Sequence, residues 1–170
     1  MTLSPTVHQA LEPAPQALRA ALGQFATGVT IVTCLDCNDI PIGLTANSFS
    51  ALSLAPPLVL WSLRVNSPSL PAFRAASHFG INVLAADQVG LSQRFASQVA
   101  DKFALGRWET GLGGVPVLAQ APAVLECERL QEQLMGDHVL FVGQVRRLSG
   151  QGGAPLLFHG GQYHALGGAM

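Results

Sequence analysis

The sequence predicts a mainly β domain, a small β-barrel with a few short helices. Six or seven short segments have the composition of β-strands, and turns rich in Gly, Pro, Asn and Asp separate most of them. The length of 170 residues fits one domain that can bury a core. Hydrophobic residues make up 49% of the chain and charged residues 11%, a composition that excludes a disordered protein.

The first elements are predicted to be a helix and a β-hairpin. Apolar residues recur at i, i+4 and i+7 along one helix face from residue 16 to near residue 28. A β-branched run then predicts a strand at 29–35, which four turn residues close, and a second strand is expected at about 42–52. A short apolar run at 58–63 predicts another strand.

The second half of the chain is predicted to be mostly sheet. Ser67 is expected to cap a helix that ends near Ala75, and a strand follows at 79–84. Asp87 is expected to cap a helix that ends near Phe95. Residues 104–122 are rich in glycine and predict a long functional loop. The last strands are expected at 123–133, 139–148 and 156–159.

Charge and hydropathy exclude two classes of partner. Nine basic and ten acidic residues give a net charge of −1, so the chain lacks the basic surface that nucleic-acid binding requires. No apolar run reaches the ~18 residues of a membrane span. Residues 1–15 have neither the basic start nor the apolar run of a signal peptide, and we expect a flexible arm there, a domain over 16–170 and a cytoplasmic location.

The three cysteines do not indicate a disulfide framework or a metal site. Their odd number suits a reducing compartment, and the five histidines show no metal-ligand spacing with them. Cys34 and Cys37 have the spacing of a redox pair, but they are predicted at a hairpin turn and not at a helix N-terminus. The sequence therefore predicts no metal, and it contains no glycine-rich phosphate-binding fingerprint.

Three polar segments are candidates for ligand binding. The segment from Thr45 to Ser50 carries small polar side chains on both strand faces, which fits either a partly exposed strand or the wall of a polar pocket. Residues 66–69 offer hydroxyls and backbone N–H groups near a helix start, where an anion or an ordinary helix cap would fit. His138 is predicted at a turn between two strands, either solvated or facing a cleft.

Seven segments occur in an order that resembles the flavin reductase family, the short-chain NAD(P)H:flavin oxidoreductases. They are residues 25–30 (FATGVT), 43–49 (GLTANSF), 56–58 (PPL), 66–69 (NSPS), 79–84 (FGINVL), 101–103 (DKF) and 136–138 (GDH). The resemblance covers about residues 16–166. It implies an FMN-binding split β-barrel that binds FMN or FAD, uses NADH or NADPH as electron donor and forms a homodimer with each flavin site close to the subunit interface. A homodimer would also account for the low surface charge.

The resemblance also implies roles for individual residues. It places a flavin ring edge against Thr45, Ala46, Asn47 and Ser48, with Ser62 beside them and Phe95 packed near the ring. It places the ribityl phosphate against Asn66, Ser67, Ser69 and Lys102. His138 is the implied catalytic residue, and it would position the nicotinamide over the flavin for hydride transfer.

The predicted function is NAD(P)H-dependent flavin reduction that supplies reduced flavin to a partner monooxygenase. One alternative remains open from the sequence, a flavin-binding electron carrier or storage module that does not use a nicotinamide. A related split-barrel oxidase acting on a small phosphorylated substrate is disfavoured, because the matches follow the reductase pattern and the basic residues are too few. The chain has only nine basic residues, and NADPH needs an additional basic group for its 2′-phosphate. This small number favours NADH over NADPH. The residues do not distinguish FMN from FAD, or a tightly bound flavin from a diffusing one.

Overall fold

The structure, a computed structural model, describes residues 13–169 as a mainly β protein. Within these residues the α-helices are α1 (Pro15–Leu22), α2 (Leu70–Ala75) and α3 (Val89–Ala96). The strands are β1 (Thr27–Gly28), β2 (Thr30–Leu35), β3 (Pro41–Ala46), β4 (Ser50–Leu54), β5 (Pro57–Arg64), β6 (His78–Val83), β7 (Trp108–Thr110), β8 (Pro116–Leu118), β9 (Ala123–Met135), β10 (His138–Ser149), β11 (Leu156–His159) and β12 (Gln162–Ala165).

Seven of these strands form one antiparallel sheet in the order β3-β2-β6-β9-β10-β5-β4. Its edge strands β3 and β4 are joined only by residues 47–49. Seven strands laid flat would span about 29 Å at ~4.8 Å per step, whereas the four residue steps from Ala46 to Ser50 reach at most about 14 Å. The sheet must therefore curl until its two edges approach each other. The described strands do not close by backbone pairing, so the sheet is a split barrel.

Two hydrophobic clusters fill the fold. Inside the sheet Trp61 stacks on Phe141 with ring centroids 4.8 Å apart, and Phe73 of α2 meets Trp61 edge-on at 4.9 Å. The second cluster lies under α3, where Phe95 and Leu91 pack with residues of β8 and β11. The helices α2 and α3 therefore pack against the sheet through their buried apolar faces. This packing fixes the positions of the start of α2 and the end of α3 relative to β3 and β5.

The first predicted helix is shorter than expected and its apolar face is not buried. It begins at Pro15 and ends at Leu22, because Gly23 caps it and Thr27–Gly28 pairs with β11. No residue of α1 is buried, and Phe25 just beyond it is 77% exposed. Of the predicted flexible arm at 1–15, residues 1–12 lie outside the described part of the chain.

Four other features differ from the prediction. The expected strand at 42–52 is two strands, because the chain crosses from one sheet edge to the other at residues 47–49. Gln88 and not Asp87 precedes α3, and its Oε1 accepts a hydrogen bond from the Ala85 N–H at 2.8 Å. The predicted loop at 104–122 contains the hairpin β7–β8, and β12 was not predicted. None of the described helices has the length and hydropathy to cross a membrane.

Candidate functional site

The residues that the sequence nominates for ligand binding meet in one cavity. Its volume is about 540 Å³, within the ~300–1,000 Å³ usual for small-molecule sites. It lies at the split of the barrel, between the ends of β3 and β5, the loop before α2, the end of α3 and the start of β10. All eleven predicted residues border it: Thr45, Ala46, Asn47, Ser48, Ser62, Asn66, Ser67, Ser69, Phe95, Lys102 and His138.

The Ser48 hydroxyl holds the split at a fixed width. Its Oγ accepts a hydrogen bond from the Ser62 N–H and donates to the Ser62 carbonyl, both at 3.0 Å. The neighbouring Thr45 hydroxyl donates to the Ser92 carbonyl of α3 at 2.6 Å. These two hydroxyls therefore form hydrogen bonds within the protein. What this segment offers a ligand is mainly its backbone and the side chain of Asn47, which is exposed.

The opposite end of the cavity collects hydroxyl and amide groups at the start of α2. The Ser67 Oγ accepts a hydrogen bond from the Ser69 N–H at 3.3 Å, and the Ser69 side chain makes no cap bond to α2. Within residues 13–169, the side chains of Ser62, Asn66 and Ser69 have no protein hydrogen-bond partner. The helix α2 has only six residues, so its dipole adds little, and the free side-chain groups are the main donors for an anion.

Lys102 brings a positive charge to this cavity in a fixed position. Its Nζ donates to the Phe95 carbonyl at 2.9 Å and to the Gly43 carbonyl at 3.2 Å. An ammonium group has three N–H donors, so one remains for a ligand. Burial lowers the pKa of Lys102 from its usual value, because the charged form loses hydration. A bound anion would restore the lost stabilisation.

Phe95 borders the cavity from a rigid aromatic cluster. It is 1% exposed, and its ring meets Phe103 edge-on at 5.0 Å and Trp108 at 5.2 Å. Gly43 on β3 lies directly beneath it, since a Cβ there would stand 2.6 Å from Phe95 Cε1. The absence of a side chain at Gly43 therefore lets the ring pack down onto β3.

His138 stands at the cavity mouth and is oriented by its neighbour. Its Nδ1 lies 2.7 Å from Asp137 Oδ1, and because a carboxylate only accepts, the proton is on Nδ1. The Nε2 atom of a neutral ring is then an acceptor for a ligand group. The hydrogen bond donated by His138 lowers the pKa of Asp137 below its ordinary value of 3.8.

Sequence reasoning missed three polar residues of the cavity wall, Arg64, Ser97 and Gln98. Arg64 follows Ser62 by two positions on β5 and pairs with His138 across the sheet, so strand alternation from Ser62 was a usable signal. Gln98 lies in the loop after α3, where no periodic pattern marks it. Arg64 adds a second cation to the cavity.

Among residues 13–169, the cavity lining contains no cysteine or carboxylate and a single histidine, His138. No group of three metal-ligating side chains occurs in this part of the chain. Cys34 and Cys127 are buried, and burial raises the pKa of each thiol to about 12. Cys37 is exposed and free, so the Cys34/Cys37 spacing does not form a redox pair.

Comparison with known proteins identifies the family. The sequence matches the flavin reductase like domain over residues 22–167. The chain belongs to the flavin reductase family. The FMN reductase (NADH) SmoA of Agrobacterium fabrum is 46% identical over 148 residues, which are 87% of this chain and 84% of that protein. The NADH-dependent flavin reductase of Rhodococcus sp is 39% identical, with 91% and 88% of the two chains covered. A relative from Rhizobium meliloti is longer, and this chain spans 44% of it.

Solved structures of flavin reductases share the fold. The flavin reductase PheA2 superposes with a TM-score of 0.84 at 37% identity, over 92% of this chain and all of that one. The NADH:FAD oxidoreductase of Streptomyces globisporus, solved with NAD and FAD fragments, gives 0.83 at 36% identity, over 88% and 91% of the two chains. The predicted family and the predicted split-barrel fold are thereby confirmed.

The cavity has the groups that a flavin mononucleotide unit needs. Such a ligand combines a planar ring with amide-like edges, a hydroxylated chain and a phosphate. The cavity offers an aromatic side chain and backbone groups on the β3 side, and free hydroxyl and amide groups with Lys102 on the α2 side. The cavity therefore contains partners for each of the three parts of such a ligand.

Proposed function

We propose that this protein catalyses the reduction of flavin, FMN or FAD, by NADH. The observation that carries the proposal is the cavity at the barrel split, where backbone groups, an aromatic ring and an anion-binding end converge. Hydride transfer requires two rings held in contact and little further chemistry from the protein. Membership of the flavin reductase family and relatives named for NADH-dependent flavin reduction support the same reaction.

Each end of the cavity has a proposed task. The segment Thr45–Ser48 and the nearby Ser62 would hold the ring edge, where backbone N–H groups stabilise negative charge as it develops on reduction. The phosphate would bind Asn66, Ser67, Ser69 and Lys102. Bound flavin would supply the hydride acceptor, and Phe95 would keep that region of the cavity free of water.

His138 is proposed as the residue that orients the nicotinamide. Asp137 fixes its tautomer, so the Nε2 acceptor can bind an amide N–H of the donor. Within the cavity wall the cationic side chains are Arg64 and Lys102, and we assign Lys102 to the flavin phosphate. Relatives named for NADH-dependent flavin reduction support NADH as the donor.

Two further proposals concern partners and location. Reductase subunits of flavin-dependent monooxygenases are among the relatives, such as HsaB of Rhodococcus jostii at 41% identity, so we propose that reduced flavin passes to a monooxygenase. A cytoplasmic location fits three free cysteines.

A homodimer is proposed from the exposed apolar surface beside the site. Phe25 is 77% exposed and Leu22 is 65% exposed. Both border a small pocket that shares Asn47 with the cavity at the barrel split, which we call the flavin cavity. A second copy covering this surface would lie next to the flavin. Sedimentation equilibrium should give twice the chain mass of 17.8 kDa, and Phe25→Asp should shift the protein toward the monomer.

The reaction is tested by absorbance at 340 nm with NADH or NADPH, with and without FMN, FAD or riboflavin, under air. NADH consumption that requires added flavin supports the proposal and identifies flavin as a diffusing substrate. A protein that retains its flavin through gel filtration but oxidises neither nicotinamide is the electron carrier of the alternative hypothesis, and that outcome would contradict the proposal.

A further inference from the structure

Two histidines lie together on the C-terminal hairpin β11–β12. The rings of His159 and His164 have their centroids 5.8 Å apart and their planes inclined at 64°. The other described histidines, His78 and His138, each hydrogen-bond a neighbouring side chain, whereas neither ring of the hairpin pair has a hydrogen-bond partner among residues 13–169. Flavin reduction in the flavin cavity gives this pair no role.

Strand pairing places both rings on the same face of the hairpin. His159 lies opposite Gln162, and His164 lies opposite the residue two positions before His159. Because side chains alternate along a strand, the two histidines form a diagonal cross-strand pair. Phe158 and Tyr163 project to the other face, where they pack against the second hydrophobic cluster. The histidine face is the outer one, with His164 exposed and His159 half-buried.

The separation of the rings suits one shared metal ion. A zinc-bound imidazole nitrogen lies about 2.1 Å from the ion and about 1.1 Å from the centre of its own ring. Two imidazoles that bind one ion at a tetrahedral angle therefore have ring centroids about 5.2 Å apart, and at a straight angle about 6.4 Å. The observed 5.8 Å lies between these limits. The torsion that turns a histidine ring is broad, so a rotation can bring one nitrogen of each ring to the ion.

The composition of this part of the fold indicates which ion would bind. The strands β1, β11 and β12 form one small sheet, and they contain no lysine or arginine that would repel a cation. They also contain no aspartate or glutamate, so the ligands are imidazoles alone. Imidazole suits zinc, copper and nickel, whereas magnesium and calcium prefer oxygen ligands.

We propose that His159 and His164 together bind one divalent cation of the zinc, copper or nickel class, with water completing its coordination. Only the folded hairpin holds the two rings at this distance, so the ion stabilises the native state. The hairpin is also tied to α3, since the Tyr163 hydroxyl lies 2.9 Å from Ser92 Oγ. Neither histidine borders the flavin cavity, and the inference is therefore independent of the proposed function.

The sequence does not reveal this site. The two histidines are five positions apart, and this separation is not a metal-ligand spacing. The chain reverses at Gly160 and Gly161, which both have positive φ angles, and this turn brings the rings together.

The test is isothermal titration calorimetry with ZnCl₂, on protein without an affinity tag and in a buffer that does not bind metal. The variants are His159→Ala, His164→Ala and the double variant. His78→Ala is the matched control, because His78 is also a half-buried strand histidine but lies on β6. It reports on a competing site as well, since His78 and the exposed Cys37 border the same pocket. Circular dichroism checks that each variant is folded, and a glutamine variant replaces any alanine variant that is not.

Wild type should bind one zinc ion per chain. Each single variant should weaken zinc binding about tenfold or more, and the two effects should not add, because one remaining imidazole cannot chelate the ion. Zinc should raise the urea midpoint of wild type but not that of these variants. His78→Ala should bind zinc within about twofold of wild type. NADH consumption with FMN, measured without zinc, should be the same in all variants.

Four results would overturn the proposal. Wild type could bind zinc no more tightly than the double variant, or only one of the two hairpin variants could lose affinity. Loss of binding in His78→Ala would assign the ion to the pocket beside Cys37. Loss of binding in Phe25→Asp, the variant designed to give a monomer, would show that the ligands come from two chains and not from one hairpin. Each of these results leaves flavin reduction untouched, since that reaction is measured separately.

Discussion

Replacing Gly43 by alanine should disturb the site through Phe95. A Cβ at position 43 would lie 2.6 Å from Phe95 Cε1, 2.9 Å from its Cδ1 and 3.2 Å from Phe103 Cζ. Ordinary van der Waals contact begins near 3.4 Å, so the Phe95 ring must retreat by about 0.8 Å. Phe103 and Trp108 already contact this ring, whereas the cavity at the barrel split is open beside it.

The expected magnitude follows from overpacking. Forcing a side chain away from a well-packed position typically costs about 1–3 kcal/mol. Gly43→Ala should therefore lower the free energy of unfolding by about 1–3 kcal/mol, measured by urea denaturation without flavin. It should also weaken FMN binding about tenfold, because the Phe95 ring would enter the ligand space and the Gly43 carbonyl that binds Lys102 would shift.

Gly90→Ala is the control for this experiment. Gly90 lies in α3, the helix that carries Phe95, and a Cβ there would meet no atom within 4 Å. Alanine in a helix is favoured over glycine by about 0.5–1 kcal/mol, so this variant should be as stable as wild type or more stable. If Gly43→Ala matches Gly90→Ala in stability and in FMN affinity, the assignment of Phe95 to the cavity wall is wrong.

Three other substitutions test separate parts of the site. Ser48→Ala removes both hydrogen bonds to the Ser62 backbone. It should lower the free energy of unfolding, measured by urea denaturation, by about 1–3 kcal/mol. An unchanged free energy of unfolding would show that Ser48 does not hold the two edges of the split together. Lys102→Met should weaken FMN binding about tenfold or more. The affinity for riboflavin, which has no phosphate, should stay within about twofold of wild type. An equal loss of affinity for both flavins would argue against a contact between Lys102 and the phosphate. His138→Ala should raise the KM for NADH, and NMR titration should find the pKa of Asp137 moved up toward 3.8. Because a lowered carboxyl pKa stabilises the fold above that ordinary value, the stability difference from wild type should be present above pH 3.8 and disappear as the pH falls below it. An unaltered KM with flavin bound would remove His138 from the site.

Local composition predicted most strands but not how they are arranged. The β-branched run that forms β2 is visible in sequence because every residue from Thr30 to Cys34 is buried on both sheet faces. The order β3-β2-β6-β9-β10-β5-β4 depends on pairing between distant segments, which no local pattern encodes. The apolar periodicity of α1 correctly predicted a helix, but its apolar face is exposed in the single chain.

The site was predicted further than the fold, because its residues occur in short motifs that keep their order along the chain. Segments 43–49, 66–69 and 136–138 supply most of the cavity wall. Some of their polar side chains hydrogen-bond within the protein and others are free for a ligand, and the sequence does not distinguish the two groups. The hydroxyls of Thr45 and Ser48 bind backbone carbonyls, whereas those of Ser62 and Ser69 have no protein partner in the described residues.

The position of the cavity follows from the three-residue connection between the two edges of the sheet. Residues 47–49 join strands at opposite edges of a seven-stranded sheet, so the edges must approach wherever these residues lie. The backbone of three residues cannot form strand pairing with both edge strands, so some of its N–H and C=O groups are left for a ligand. Ser48 sets the width of the gap by binding Ser62 on the far side. The same short segment therefore brings the two sheet edges together and leaves backbone groups free at the gap, which is where we propose that the flavin ring binds.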